Sequence, residues 1–127
     1  SVFDGVATAA PALMYSSKLQ KRAAEQGFDW PNSDGPYEKI TEEIAELREA
    51  VRLNGDPQTV RMELGDVLFS VVNLSRHLGV DAETALRSAA EKFKMRFEKV
   101  VELATKRKIN LSTCSLAELD AIWDEIK

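Results

Sequence analysis

The chain has 127 residues, 44% hydrophobic and 30% charged, a balance that excludes a disordered or fibrous segment and fits one soluble globular domain over residues 1–127. Its formal charge of −4 excludes a non-specific binder of nucleic-acid polymers, which needs a basic surface to displace counterions; a phosphorylated ligand would draw its positive charge from metal ions. With Cys114 as the sole cysteine, no internal disulfide can form, and no apolar run reaches the ~18 residues a bilayer span needs, so a cytoplasmic protein without a membrane partner is expected.

In chain order, a first helix is expected from about Ala7 to Gln26, stopped by Gly27, with Lys18, Lys21 and Arg22 near the end where cations oppose the helix dipole. The Pro-, Gly-, Asn- and Asp-rich stretch from Phe28 to Pro36 reads as a loop carrying two aromatics, Phe28 and Trp30, expected in core or dimer packing, with the wall of a base pocket as the alternative. A second helix from about Pro36 to Leu53 and a third from Pro57 to Leu78 flank the break Asn54-Gly55-Asp56-Pro57, and so short a turn makes them an antiparallel hairpin. Asp81 is the expected N-cap of a long fourth helix reaching about Arg107, and Ser115 with Glu118 forms a capping box for a short last helix carrying Trp123. No strand-like alternation appears, so the expected fold is an all-α antiparallel bundle of about four main helices plus the short C-terminal one. Such a thin bundle tends to recruit a second subunit, which predicts a dimer.

At 100° per residue, Ile40, Ile44, Leu47 and Val51 share one face of the second helix, with Lys39, Glu43 and Glu46 along its flank. On the third helix Val60, Leu64, Val67, Val71, Leu74 and Leu78 make the apolar face; Glu63, Asp66, Ser70, Asn73 and His77 line the flank. Met62, Leu68, Phe69 and Val72 occupy its other sides, so this helix is expected to be buried nearly all round. Carboxylates on such a helix need partners, because an unpaired buried charge is very costly. In the hairpin, Glu43 stands as far from the turn as Asp66 does, and Glu46 as far as Glu63, which predicts four carboxylates within roughly two helical turns. Clustered oxygen ligands without Cys or His suit Mg²⁺ or Mn²⁺ rather than zinc. Glu42 lies further round the helix, a weaker position for direct ligation. His77 reads as a structural hydrogen-bonding residue at a helix end, while Asn73, two turns along the stripe from Asp66, is a candidate substrate contact.

Glu42-Glu43-Ile44-Ala45-Glu46 followed by Glu63-Leu64-Gly65-Asp66 resembles the E-E-x-x-E and E-x-x-D signature of MazG-type nucleoside triphosphate pyrophosphohydrolases. The likeness extends over Lys18–Ala24, Gly27–Pro31, Val72–Gly79 and Glu91–Phe97, and is greatest to the C-terminal catalytic domain of two-domain bacterial members. The opening Ser1–Val6 is similar to the junction between their halves, which would make this chain a domain of a longer tandem protein. The resemblance implies a homodimer hydrolysing (deoxy)nucleoside triphosphates to the monophosphate and pyrophosphate with Mg²⁺, Mn²⁺ being able to substitute. It implies Glu43, Glu46, Glu63 and Asp66 as metal ligands, with Glu42 beside the metals orienting water. Lys39, Lys92 and Arg96 would contact phosphates and Trp123 the nucleobase. Two departures are Ala90, where many relatives carry Asn, and Thr59, where some carry Lys.

The expected mechanism is attack of metal-activated water on the α-phosphorus, with pyrophosphate leaving. A di-iron or di-manganese redox bundle would want Glu-x-x-His pairs, and this sequence has none. A non-catalytic helical dimerisation module is the remaining alternative, and it predicts no metal-dependent turnover.

Overall fold

A computed structural model describes residues 1–127 as five helices without strands: α1 (Ala12–Glu25), α2 (Asp34–Arg52), α3 (Pro57–His77), α4 (Ala82–Lys106) and α5 (Leu116–Ile126). The all-α class and the order of elements are those expected from the sequence. The chain divides into two compact units, Ser1–Ala85 and Leu86–Lys127, with the boundary inside α4. No helix is long and apolar enough to cross a membrane.

In the first unit α2 and α3 pack together as a hairpin, and α1 packs on α3. The break between α2 and α3 forms where Asn54 takes a left-handed φ of 53° and Gly55 N–H donates to the Ala50 carbonyl at 2.8 Å. Asn tolerates that conformation better than most residues. Asp56 then caps α3, its carboxylate accepting from Thr59 N–H at 2.9 Å, with Pro57 at the first helical position where its missing N–H costs nothing.

Two boundaries differ from the sequence reading. Helix α1 starts at Ala12, not Ala7, because Pro11 disfavours the helical conformation in the residue before it and itself becomes the N-cap, with φ −51° and ψ 143°. Helix α2 starts at Asp34, ahead of Pro36: the Asn32 side chain accepts from Asp34 N–H at 2.9 Å, and Pro36 is accommodated in the first turn. Arg22 lies in the last turn of α1 as expected and also donates to the Val2 and Asp4 carbonyls at 3.1 and 2.9 Å, tying the N-terminal segment to α1.

The larger correction concerns α3. It is not buried nearly all round: Ser70 and Val72 are its only buried residues, and Met62, Leu64, Leu68 and Val71 are 42–60% exposed. Its packed neighbours are α1 and α2, and two helices cannot cover apolar residues on every side of a third. Ile44 and Val51 on the expected apolar face of α2 are exposed as well.

In the second unit Val100 and Ala104 of α4 and Ile122 of α5 are buried. The Ser115–Glu118 capping box opens α5 as expected, and Arg107 pairs with Glu125 at 2.6 and 2.8 Å. That pairing holds the Glu125 carboxyl below its ordinary range, chiefly through the hydrogen bond from Arg107.

Candidate metal centre

Helix α2 contributes Glu42, Glu43 and Glu46 at helical spacing, and α3 contributes Glu63 and Asp66 from the facing side of the hairpin. The five residues form two overlapping groups that share Glu43. Glu42, Glu43 and Glu46 bring carboxylate oxygens within 4.8 Å of one another, and so do Glu43, Glu63 and Asp66. Glu42 and Glu46 group with Glu43 on their own helix and stand outside the group that Glu43 makes with Glu63 and Asp66 of α3.

Glu43 is only 6% exposed. Its Oε1 lies 3.1 Å from Lys39 Nζ, which also reaches Glu42 at 3.5 Å, while Glu43 Oε2 and Glu63 Oε2 are buried without any hydrogen-bond partner. Charge repulsion is visible at Glu46, whose carboxyl is raised above its ordinary range, first by the negative charge of Glu43 and further by Glu63 and Glu42. Lys39 is raised above the ordinary lysine range, mainly by its hydrogen bond to Glu43. One ammonium cannot neutralise five carboxylates. The orphaned oxygens, all of one hard donor type, fit a divalent hard cation.

Beside this cluster, the first unit contains a cavity of about 670 Å³, walled by Leu19, Phe28, Trp30 and Phe69 and including Gln20 and Asn73. Lys39 belongs both to this wall and to the ion pair with Glu43. Just past the end of α1, Gly27 takes a left-handed φ of 88° and releases the loop that carries Phe28 and Trp30. The Trp30 indole lies against Gly35, where the Cβ of any other residue would stand. Asp29, between the two aromatics, binds Arg76 at 2.6 and 3.1 Å and His77 Nε2 at 2.8 Å. The Arg76 guanidinium is the main reason its carboxyl sits far below the usual range, with His77 adding to the effect. His77 thus has the structural role expected of it. Asn73, expected at the substrate, accepts from Arg76 Nη2 at 2.9 Å through its Oδ1 and remains part of the cavity wall.

Residues 36–101 match the MazG nucleotide pyrophosphohydrolase domain, a stretch that includes all five carboxylates. The chain belongs to this family. It is 46% identical over 117 residues to the nucleoside triphosphate pyrophosphohydrolase/pyrophosphatase MazG of Thermotoga maritima, covering 92% of this chain and 44% of that protein. It is 40% identical over 131 aligned positions to the nucleoside triphosphate pyrophosphohydrolase of Escherichia coli K12, covering 100% of this chain and 49% of that protein. The chain spans about half the length of the curated relatives it matches.

The remaining MazG-type candidates, Lys92, Arg96 and Trp123, lie in the second unit. There the Arg96 guanidinium sits 3.7 Å over the Trp123 ring and donates to the Trp123 carbonyl at 2.8 Å, while Lys92 is exposed. Phe93 packs on Trp123 with ring centroids 5.6 Å apart. Of the two departures from the family pattern, Thr59 takes part in the α3 cap through its backbone, and Ala90 is exposed. The Gln20 and Asp29 contacts escaped the sequence reading, because each joins residues 47 or more positions apart and leaves no periodic signal.

Proposed function

We propose that this chain catalyses Mg²⁺-dependent hydrolysis of ribo- and deoxyribonucleoside triphosphates to the monophosphate and pyrophosphate, as a cytoplasmic homodimer in which residues 1–127 act as one catalytic domain. The observation that carries this reading is the pair of buried, partnerless oxygens on Glu43 and Glu63 at the meeting point of two acidic groups, since buried carboxylate oxygens are seldom left unsatisfied. Family membership and the names of the two relatives support the substrate class.

Glu43, Glu46, Glu63 and Asp66 would hold the metal. When bound, Mg²⁺ or Mn²⁺ supplies Lewis acidity, making water a better nucleophile towards the α-phosphorus and offsetting charge on the leaving pyrophosphate. Glu42, exposed at the rim of the cluster, would accept a hydrogen bond from the attacking water and orient it. Lys39 would exchange a carboxylate partner for a phosphate oxygen. Lys92 and Arg96, one helical turn apart on α4, would grip the polyphosphate, with Asn73 and Trp123 meeting the nucleoside. A second copy of the chain would cover Leu64, Leu68 and Val71, which lie along one side of α3 and are exposed in a lone chain.

Purified protein is expected to release pyrophosphate from mixed deoxynucleoside triphosphates with Mg²⁺ and to stop when EDTA is added. Absence of Mg²⁺-dependent release would favour the dimerisation-module reading instead. Light scattering at micromolar concentration should give the mass of a dimer, and a monomer there would remove the partner from the proposal.

A further inference from the structure

Asn73 of α3 lies in the wall of the cavity beside the carboxylates, and its amide is held in one orientation. Its Oδ1 accepts from Arg76 Nη2 at 2.9 Å and from Arg76 Nε at 3.3 Å. A guanidinium can only donate, so the amide cannot be turned over, and Nδ2 is the end left free. No protein acceptor takes it. Gln20 Oε1, an acceptor in the same wall, is itself unpartnered but sealed from solvent, whereas Asn73 Nδ2 is unpartnered and open to it.

The neighbouring polar groups add no comparable acceptor. Asp29 accepts from Arg76, His77 and the Trp30 N–H, while Ser70 is 7% exposed and its hydroxyl donates to the Asp66 carbonyl at 2.8 Å. What the wall holds out to a ligand is therefore a donor in a fixed direction. The cavity has the size usual for a small-molecule site, and aromatic and aliphatic walls with a few polar groups suit a flat heteroaromatic ring. Because Lys39 joins the wall to the acidic cluster, a triphosphate held at the carboxylates would have its base within reach of the cavity.

We propose that Asn73 is a specificity-determining residue whose Nδ2 donates to an exocyclic carbonyl oxygen of the base, so that the cavity favours keto-bearing bases over their amino counterparts. This inference rests on the nucleoside triphosphate reading given above. Uracil and hypoxanthine present a carbonyl oxygen where cytosine and adenine present an amino group. Two facing donors leave each other unpaired, and Arg76 prevents Asn73 from turning its oxygen towards the amino group. A polar site left unpaired by the wrong ligand discriminates more strongly than an apolar one.

The test is the affinity of the full chain, with Mg²⁺, for the α,β-methylene analogues of CTP, UTP, ATP and ITP, measured calorimetrically beside pyrophosphate release from the four natural triphosphates. The parent should bind the keto member of at least one pair about tenfold more tightly than the amino member. Asn73→Ala should bring that ratio close to one, mainly by weakening the keto member. Asn73→Asp keeps an oxygen for Arg76 and puts a second acceptor where Nδ2 stood. Its charge should weaken all four analogues, but the ratio should reverse in favour of the amino member. An unchanged ratio in either folded variant would make Asn73 a packing partner of Arg76 and overturn the proposal. Should Asn73→Ala not fold, Asn73→Asp, which retains the shape and the Arg76 contact, decides alone. A parent with no keto preference, or with the opposite one, overturns the proposal without any variant. Selective binding without turnover would uphold the role of Asn73 and sink the hydrolytic reading; turnover without selectivity would do the reverse, and neither binding nor turnover would sink both.

Discussion

Glu46→Gln and Asp66→Asn are each expected to lower kcat for triphosphate hydrolysis by at least ~100-fold, the loss that follows if the metal supplies several kcal/mol of transition-state stabilisation. Neither variant should be less stable than the parent when Mg²⁺ is absent. Glu46 titrates above its ordinary range because Glu43 and Glu63 repel its charge, so its contribution to stability is present at low pH and is lost as pH rises through the folded-state value. Removing that charge relieves repulsion at neutral pH, and the Glu46→Gln melting temperature in EDTA should match or exceed the parental one. Added Mg²⁺ should raise the parental melting temperature by binding the native state, and much of that rise should vanish in both variants. Near-parental activity in either would end its proposed role as a ligand. Activity lost only through unfolding would make these carboxylates structural partners of buried cations.

The carboxylate cluster was legible because its geometry is set by two local rules. Helical spacing puts Glu43 and Glu46 on one flank, and the short turn at Asn54-Gly55 fixes which residues of α3 stand at the height of Glu43. Asp66 and Glu63 both come within ligand distance of it. The cavity was not legible in this way. Its wall draws on α1, α2, α3 and the loop between α1 and α2, and the Gln20–Phe69 contact depends on how α1 lies across α3, which no periodicity encodes. The error over α3 has a related cause. Apolar residues on several sides of a helix state that something must cover them, but not whether the cover belongs to the same chain, and here α1 and α2 leave Met62 and Leu68 exposed.

Asp29→Asn tests how the loop over the cavity is held. The carboxylate of Asp29 joins that loop to the end of α3 through Arg76 and His77, and the three side chains are 28%, 18% and 10% exposed. Exposed ion pairs contribute about 0–1 kcal/mol, and breaking a fully buried one costs about 3–5, so a part-buried triad should lie between, at about 2 kcal/mol. The expected fall in melting temperature is several degrees. The pH dependence gives a sharper reading. Asp29 is held well below the usual carboxylate range in the folded protein, whereas an unfolded Asp titrates near about 3.9. Its stabilising contribution is therefore complete above that value and is lost as pH falls from about 4 towards the folded-state value. Urea midpoints measured between pH 6 and pH 3 should fall more steeply in the parent than in Asp29→Asn, and the two curves should converge at the acid end. Parallel curves would show that the triad contributes no pH-dependent stability. Because Phe28 and Trp30 flank Asp29 and both wall the cavity, the variant should also raise KM for nucleoside triphosphates more than it lowers kcat. A loss confined to kcat would place the effect of Asp29 at the chemical step and not at the loop.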